Sequence, residues 1–172
     1  MLQQMIRAGR LDRSFYTKLL FDDYATGNAV AIIVLVFAVP VLVGESLHLG
    51  ADPVVVAAFS VTAAARAALD SVIRAGISAI AAWAVATRLL GRDGRIPVTF
   101  RLTGYAHVAF LPMLLWPVLS AQVTVLLLAS AIWYFLAMRV VAEAQFDLTG
   151  PEALQVAGAA LAAWYLAFLL FS

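Results

Sequence analysis

The sequence predicts an all-α integral membrane protein: a five-helix bundle with an N-terminal amphipathic segment and an interfacial helix before the second span. Hydrophobic residues make up 65% of the 172 positions and charged residues 12%, whereas soluble domains average about 45–50% and 25%. The mean hydropathy is +0.98. Long uncharged stretches also recur, and a helix needs roughly 20 such residues to cross a hydrocarbon core of about 30 Å. We therefore expect one membrane domain over 1–172.

The first 25 residues are predicted to form a cytoplasmic amphipathic segment. Apolar residues alternate there with four basic ones, Arg7, Arg10, Arg13 and Lys18, a pattern typical of short helices on an anionic membrane surface. Asp12 is expected to cap the second of these helices. A cleavable signal peptide is the alternative, but the apolar stretch that follows is too long for one and lacks a small-x-small cleavage site.

The first span is placed at about 27–47, because 21 uncharged residues separate Asp23 from Glu45. Pro40 lies inside it and would break a soluble helix. In a membrane bundle, a bend or a neighbouring group can satisfy the backbone carbonyl that proline frees.

The second span is harder to place, because only 13 uncharged residues separate Arg74 from Arg88. That spacing corresponds to a rise of about 21 Å, so Arg74 must extend its side chain from inside one membrane boundary towards the interface. We predict an interfacial helix at about 53–69 and a span at about 70–90. One long helix that projects into the outer compartment is the alternative.

The 37 uncharged residues between Arg101 and Arg139 predict a hairpin, since about 55 Å of helix is too long for one crossing and enough for two. Its spans are placed at about 102–117, kinked at Pro112, and at about 123–140. The last span is placed at about 152–171.

The positive-inside rule sets the direction of the five spans. A cytoplasmic N-terminus places nine of the 11 lysines and arginines on the cytoplasmic side and leaves only Arg66 and Arg74 towards the outside. We therefore expect a multi-pass protein of the cytoplasmic (inner) cell membrane, with its N-terminus inside and its C-terminus outside. A sixth crossing at 53–69 would put the basic residues between 88 and 101 on the wrong side.

Three charged residues, Arg66, Asp70 and Arg74, fall at positions i, i+4 and i+8 and so share one helical face, where the acid can pair with both bases. Charge inside a membrane is costly and usually has a task, so one hypothesis is a line of polar groups along a lipid, ion or substrate route. The other is a row of interfacial charges that fixes the depth of the second span.

Further partner or lipid contacts are predicted at the basic cytoplasmic residues Arg88, Arg92, Arg95 and Arg101. In the last span Gly158 and Ala162 form a small-xxx-small pair, which permits close helix approach. Such pairs of small residues are also common in the internal packing of a helical bundle.

Cofactor and metal sites are not expected. His107 is a weak candidate for a haem or pigment ligand, although a lone histidine more often forms a hydrogen bond between helices. Glu45 and His48 could supply half of a dinuclear metal site. Glu143 or Asp147 would have to complete it, and both fall on the opposite side of the membrane.

The order of several short motifs resembles the bacterial branch of the Yip-domain family, whose eukaryotic members interact with Ypt/Rab GTPases. These motifs cover most of the chain: Arg10-Leu11-Asp12-Arg13-Ser14-Phe15-Tyr16, Ala25-Thr26-Gly27-Asn28-Ala29, Trp83 with Leu89-Leu90-Gly91, Thr99-Phe100-Arg101, Gly104-Tyr105-Ala106 ahead of Pro112, and Leu148-Thr149-Gly150. The resemblance implies a five-helix bundle without catalysis or cofactor that organises membranes or other membrane proteins. The long acidic arm of many eukaryotic members is absent, which argues against a GTPase partner.

We therefore expect a non-enzymatic membrane protein that binds or organises lipids or other membrane proteins, as an adaptor, an accessory subunit or a homo-oligomer. The alternative is a small transporter or lipid or ion pathway that uses the Arg66/Asp70/Arg74 face. A net charge of +1 provides no basic field for nucleic acid. With no cysteine in the chain, disulfides and thiolate chemistry are excluded.

Overall fold

The computed structural model describes the backbone of residues 1–48, 53–115, 119 and 122–171, and their side chains apart from those of 44–48, 53–60 and 171. Within these ranges the secondary structure is helical and no strand occurs, so the predicted all-α class is confirmed. Five helices are long and apolar enough to cross a membrane: Ala25–Val43, Val61–Leu89, Ile96–Leu115, Val123–Gln145 and Gly150–Leu170. The chain is a multi-pass membrane protein.

The helices are numbered in chain order: α1 Leu2–Gly9, α2 Arg13–Leu19, α3 Ala25–His48, α4 Pro53–Ala84, α5 Ile96–Ala106, α6 Val123–Gln145 and α7 Gly150–Phe171. α4 ends in a π-helical turn, Val85–Leu89, and α5 continues as a 3₁₀ segment, His107–Leu115. The turn predicted between the last residues of that segment and α6 lies largely outside the described residues.

The long helices are arranged around α5 and its 3₁₀ segment. α4 packs between α3 and α7, and α7 packs on α6, while α5 with the 3₁₀ segment contacts α3, α4 and α6. The short helices α1 and α2 pack on α5, and they also contact the 3₁₀ segment and α6. The short central element is consequently the most buried of the five spans, with 61% of its 18-residue apolar stretch inside the bundle.

α4 runs from Pro53 to Ala84 as one helix. The stretches predicted as an interfacial helix, 53–69, and as a span beginning near 70 are therefore continuous, which is the alternative that the sequence left open. The reason is that no proline or glycine lies between Pro53 and Gly76 and the stretch is rich in alanine, the best helix former. Charge spacing indicates the depth of a residue in the membrane, and it does not end a helix.

The central span changes from α-helix to 3₁₀-helix at His107, five residues before the predicted kink at Pro112. Proline has no N–H, and its ring clashes with the carbonyl four residues earlier. The 3₁₀ geometry uses bonds between residues three apart, so the change of helix type over His107–Leu115 accommodates Pro112.

The two short N-terminal helices are present, and Asp12 caps α2 by accepting a hydrogen bond from the Phe15 amide at 3.2 Å. The two helices differ in where their apolar side chains lie. In α1, Leu2 and Ile6 are exposed, as expected of a segment on a membrane surface, whereas the apolar side chains of α2 contact the protein instead. Phe15, Tyr16 and Leu19 are buried in the bundle core. Trp133 of α6 donates a hydrogen bond to the Gly9 carbonyl at 3.0 Å, which holds α1 against the middle of α6.

Candidate functional site

A cavity of about 350 Å³ lies between α3, α4, α7 and the 3₁₀ segment. We call it the Arg74 cavity. Arg66, Asp70 and Arg74 lie along its α4 wall. The remaining lining residues are apolar: Val36, Phe37, Pro40, Val41, Ala63, Ala67, Phe110, Met113, Leu127, Trp164 and Phe168. The three charged residues that the sequence placed on one helical face thus face one mainly apolar space.

The three charged side chains are not equivalent. Arg66 Nε lies 3.8 Å from Asp70 Oδ2, and the Arg66 side chain is 76% exposed against 22% for Asp70. Arg74 is in no ion pair among the described residues, and its guanidinium lies 4.9 Å from the centre of the Phe168 ring. Its Nε is buried and has no hydrogen-bond acceptor in the described part of the chain. Asp70 therefore pairs with one of the two flanking bases only.

Aromatic rings form part of the lining of the Arg74 cavity. Trp164 stacks on Phe110 at 4.7 Å between ring centres and on Phe168 at 5.9 Å. Phe37 lies 5.4 Å from Phe110. Trp164 is 3% exposed, and its Nε1 is a second buried donor without an acceptor among the described residues. The Phe168 ring thus contacts both the Arg74 guanidinium and the Trp164 indole.

A buried polar contact joins α4, α6 and α7. The Ser78 hydroxyl donates to the Ala160 carbonyl at 2.8 Å, so the Tyr134 hydroxyl, 2.7 Å from Ser78 Oγ, must donate to it. Sequence reasoning missed Ser78, because a single serine in an alanine-rich helix gives no periodic signal.

His107 is buried among aromatic rings and lies outside the Arg74 cavity lining. Its Nδ1 lies 2.8 Å from the Thr103 carbonyl. A carbonyl only accepts, so Nδ1 carries the proton and Nε2 is an acceptor. The rings of Phe37, Phe110 and Tyr134 lie 5.0–6.1 Å from the imidazole. They occupy the space that a haem or chlorin would need, so the weak ligand candidate gains no support from the geometry.

The basic residues assigned to the cytoplasmic surface divide into two groups. Arg88, Arg92 and Arg95 are exposed, and Arg92 forms an ion pair with Glu152 at 3.2 Å. Arg101 is different, because its side chain is only 4% exposed. The prediction that Arg101 belongs to a partner or lipid surface is therefore wrong.

Arg101 instead holds the connection between α2 and α3. Its guanidinium donates to the Leu19 carbonyl at 2.8 Å, to Thr26 Oγ1 at 3.1 Å and to Asp23 Oδ1 at 2.6 Å. The helices thus bring together groups 75–82 positions apart in the chain. A buried charge needs such partners, and a backbone carbonyl acceptor cannot be identified from residue types.

Gly158 is half-buried on α7, on the side near α6. Ala162 is exposed, and the nearest side-chain atom to a Cβ built at Gly158 is Phe135 Cε2, at 4.0 Å. The close helix approach within the bundle occurs elsewhere, at Gly104, where an added Cβ would lie 2.6 Å from Cβ of Ala29.

The N-terminal helices carry polar contacts that the sequence did not indicate. Gln4 Oε1 accepts hydrogen bonds from Asn28 at 3.3 Å and from the Tyr105 hydroxyl at 3.2 Å. At the start of α2, hydrogen bonds from the Ser14 hydroxyl and the Arg7 guanidinium lower the pKa of Asp12 from 3.8 to about 2.

The Glu45 and His48 side chains, considered for a metal site, lie outside the described residues. Within the described part of the chain, the acidic and histidine residues form no group of three that could hold a metal ion.

Comparison with known protein families, with curated proteins and with solved structures found no match. The resemblance to the Yip-domain family therefore stays a prediction.

Proposed function

We propose that the protein is a non-enzymatic membrane protein that binds a lipid inside its helical bundle and so organises lipids or partner proteins. One observation carries the proposal: the Arg74 cavity combines a mainly apolar lining with two arginines and one aspartate on a single wall. Its volume of about 350 Å³ is within the range of about 300–1,000 Å³ typical of ligand sites. Apolar walls with a few convergent polar groups suit an amphiphile.

A lipid or ion pathway along Arg66, Asp70 and Arg74 is the second candidate. It is favoured because the three residues extend over about 12 Å of helix and line one cavity. Binding is better supported, because the stacked rings of Phe110 and Trp164 belong to the lining and add a large apolar surface to it. Loss of flux in reconstituted vesicles on Asp70→Asn, with unchanged expression, would favour the pathway.

Lipid binding is tested by native mass spectrometry of protein purified in a mild detergent. We expect a lipid-sized adduct on the wild type. Ala67→Phe fills the cavity from the α4 wall and should remove the adduct. Ala129→Phe makes the same change at an exposed position outside the cavity lining and should keep it. An adduct that is absent from the wild type, or that survives in Ala67→Phe, would count against binding at this site.

We further propose that the N-terminus is cytoplasmic and the C-terminus external, in the inner membrane. Arg92 pairs with Glu152, and Arg101 with Asp23, which supports a common basic end of the bundle on the cytoplasmic side. Protease-accessible tags at the two ends should be cleaved from opposite sides of the membrane. Cleavage of both from one side would refute this topology.

Partner proteins or a second copy of the chain would contact two regions of the surface. The first is the basic set Arg88, Arg92 and Arg95, and the second is the Gly158/Ala162 face of α7. Stoichiometric copurification from native membranes would support an accessory role of the Yip-like type.

A further inference from the structure

We infer that the Arg74 cavity is a site for a single-chain amphiphile with an anionic head, a carboxylate or a phosphate monoester, whose oxygens accept hydrogen bonds from Arg74 and Trp164. The inference rests on the proposed function, that this cavity binds a lipid, and it names the class of lipid.

The first argument is the chemistry of the two orphan polar atoms. Arg74 Nε and Trp164 Nε1 are both buried, both belong to lining residues, and neither has an acceptor in the described part of the bundle. Both can only donate. Buried donors without acceptors are rare in folded proteins, so a cavity bordered by two of them calls for an acceptor from a ligand.

The second argument is charge. Asp70 is engaged with Arg66, so among the described lining residues the charge of Arg74 is not matched by an ion pair. Arg74 is half-buried, and Phe168 offers the face of its ring at 4.9 Å, which offsets this partial burial of the cation only in part. Two arginines and one aspartate leave one positive charge in excess, which an anionic head would neutralise. A guanidinium binds carboxylate and phosphate oxygens through charge-assisted hydrogen bonds.

The third argument is size and polarity. Apart from the charged α4 wall, the lining consists of aliphatic and aromatic residues such as Val36, Val41, Met113 and Leu127. The volume of about 350 Å³ is near the lower end of the range for ligand sites, roughly 300–1,000 Å³. It suits one acyl chain better than two.

The test uses the full-length protein in a neutral detergent and dibrominated ligands, because bromine quenches tryptophan fluorescence on contact. Three ligands with the same chain are compared: stearate, lysophosphatidate and neutral monoacylglycerol. Native mass spectrometry counts the bound molecules. We expect both anionic ligands to quench the tryptophan fluorescence. The neutral ligand should need a concentration at least about tenfold higher for half-saturation. The anion that binds more tightly shows whether the natural head is a carboxylate or a phosphate monoester.

Variants then locate the head. Arg74→Gln should weaken binding of the anions by about tenfold or more, because a charge-assisted hydrogen bond is lost, and leave the neutral ligand unchanged. Trp164→Phe should remove the part of the quenching that arises in the cavity and weaken binding of the anions as counted by mass spectrometry. Arg139→Gln removes an arginine outside the cavity lining and should change neither the fluorescence quenching nor the binding of the anions.

The outcomes separate the inference from the function on which it rests. Equal binding of neutral and anionic ligands to the wild type would overturn the anionic site and leave lipid binding intact. Binding of none of the three, with no lipid adduct on the purified protein, would overturn both. The comparison of the three ligands on the wild type tests the anionic site even if a variant fails to fold.

Discussion

Replacing Arg101 with methionine should destabilise the bundle by about 1–3 kcal/mol. Arg101 is almost fully buried, with its side chain 4% exposed, whereas Asp23 at the other end of the ion pair is 93% exposed. Once the arginine is removed, water solvates the carboxylate, so loss of the ion pair costs only about 0–1 kcal/mol. The Leu19 carbonyl loses its buried donor at 2.8 Å, which adds about 1–3 kcal/mol. Methionine is neutral and carries no desolvation cost, which offsets part of the loss.

Asp23→Asn provides the complementary measurement. It leaves the buried guanidinium with neutral acceptors only, so it should cost about 1–3 kcal/mol despite its surface position. In the Arg101→Met background the same change should cost close to nothing. The difference between the two backgrounds is the coupling energy of the pair.

Reversible unfolding in mixed micelles, titrated with a denaturing detergent and followed by tryptophan fluorescence, measures both variants. Arg95→Met serves as the control, because Arg95 is exposed and such changes stay within about 0.5 kcal/mol. If Arg101→Met unfolds with the free energy of the wild type, or if Arg95→Met is equally harmful, the assignment of Arg101 as an internal clamp is wrong.

Two further changes test the packing of α5 and the cap of α2. Gly104→Ala places a methyl group 2.6 Å from Cβ of Ala29 and should lower the free energy of unfolding by about 1–3 kcal/mol, whereas Gly76→Ala meets no atom within 4 Å among the described residues and should be neutral or stabilising. Because the pKa of Asp12 is lowered to about 2, its contribution to stability is complete above about pH 4 and is lost as the pH falls towards 2. A spin label attached to Thr17→Cys, the only cysteine in that variant, should gain mobility as the pH falls over this window. Asp12→Asn should abolish this pH dependence. If the mobility of the label in the variant with Asp12 does not change with pH, the assignment of Asp12 as the cap is wrong.

The first and last spans are predicted closely, because the thickness of the membrane acts on one dimension only. The distances between charged residues give the depth of each segment, and the predicted spans at about 27–47 and 152–171 overlap closely with α3 and α7. Depth is a property of a residue's position along its own helix. It can therefore be read from spacing without knowing which helices are neighbours.

The direction in which a side chain points around its helix is not available from spacing. Arg101 was assigned to the cytoplasmic surface because of its depth, which is consistent with its pairing with Asp23. It is buried because Leu19 and Thr26 lie on the inner side of it. The same limit applies to α1, since its docking depends on the contact between Gly9 and Trp133, which are 124 positions apart.

The 3₁₀ segment explains both how the short central span crosses the membrane and why a cavity lies beside it. Ile96–Leu115 has 20 residues, and an α-helix of that length rises about 30 Å, which leaves no allowance for tilt across a core of about 30 Å. The 3₁₀ geometry over the nine residues His107–Leu115 rises about 2.0 Å per residue and lengthens the span by about 4–5 Å. A 3₁₀ helix is also thinner and carries fewer side chains per unit length. Space therefore opens next to Phe110 and Met113, where the Arg74 cavity lies.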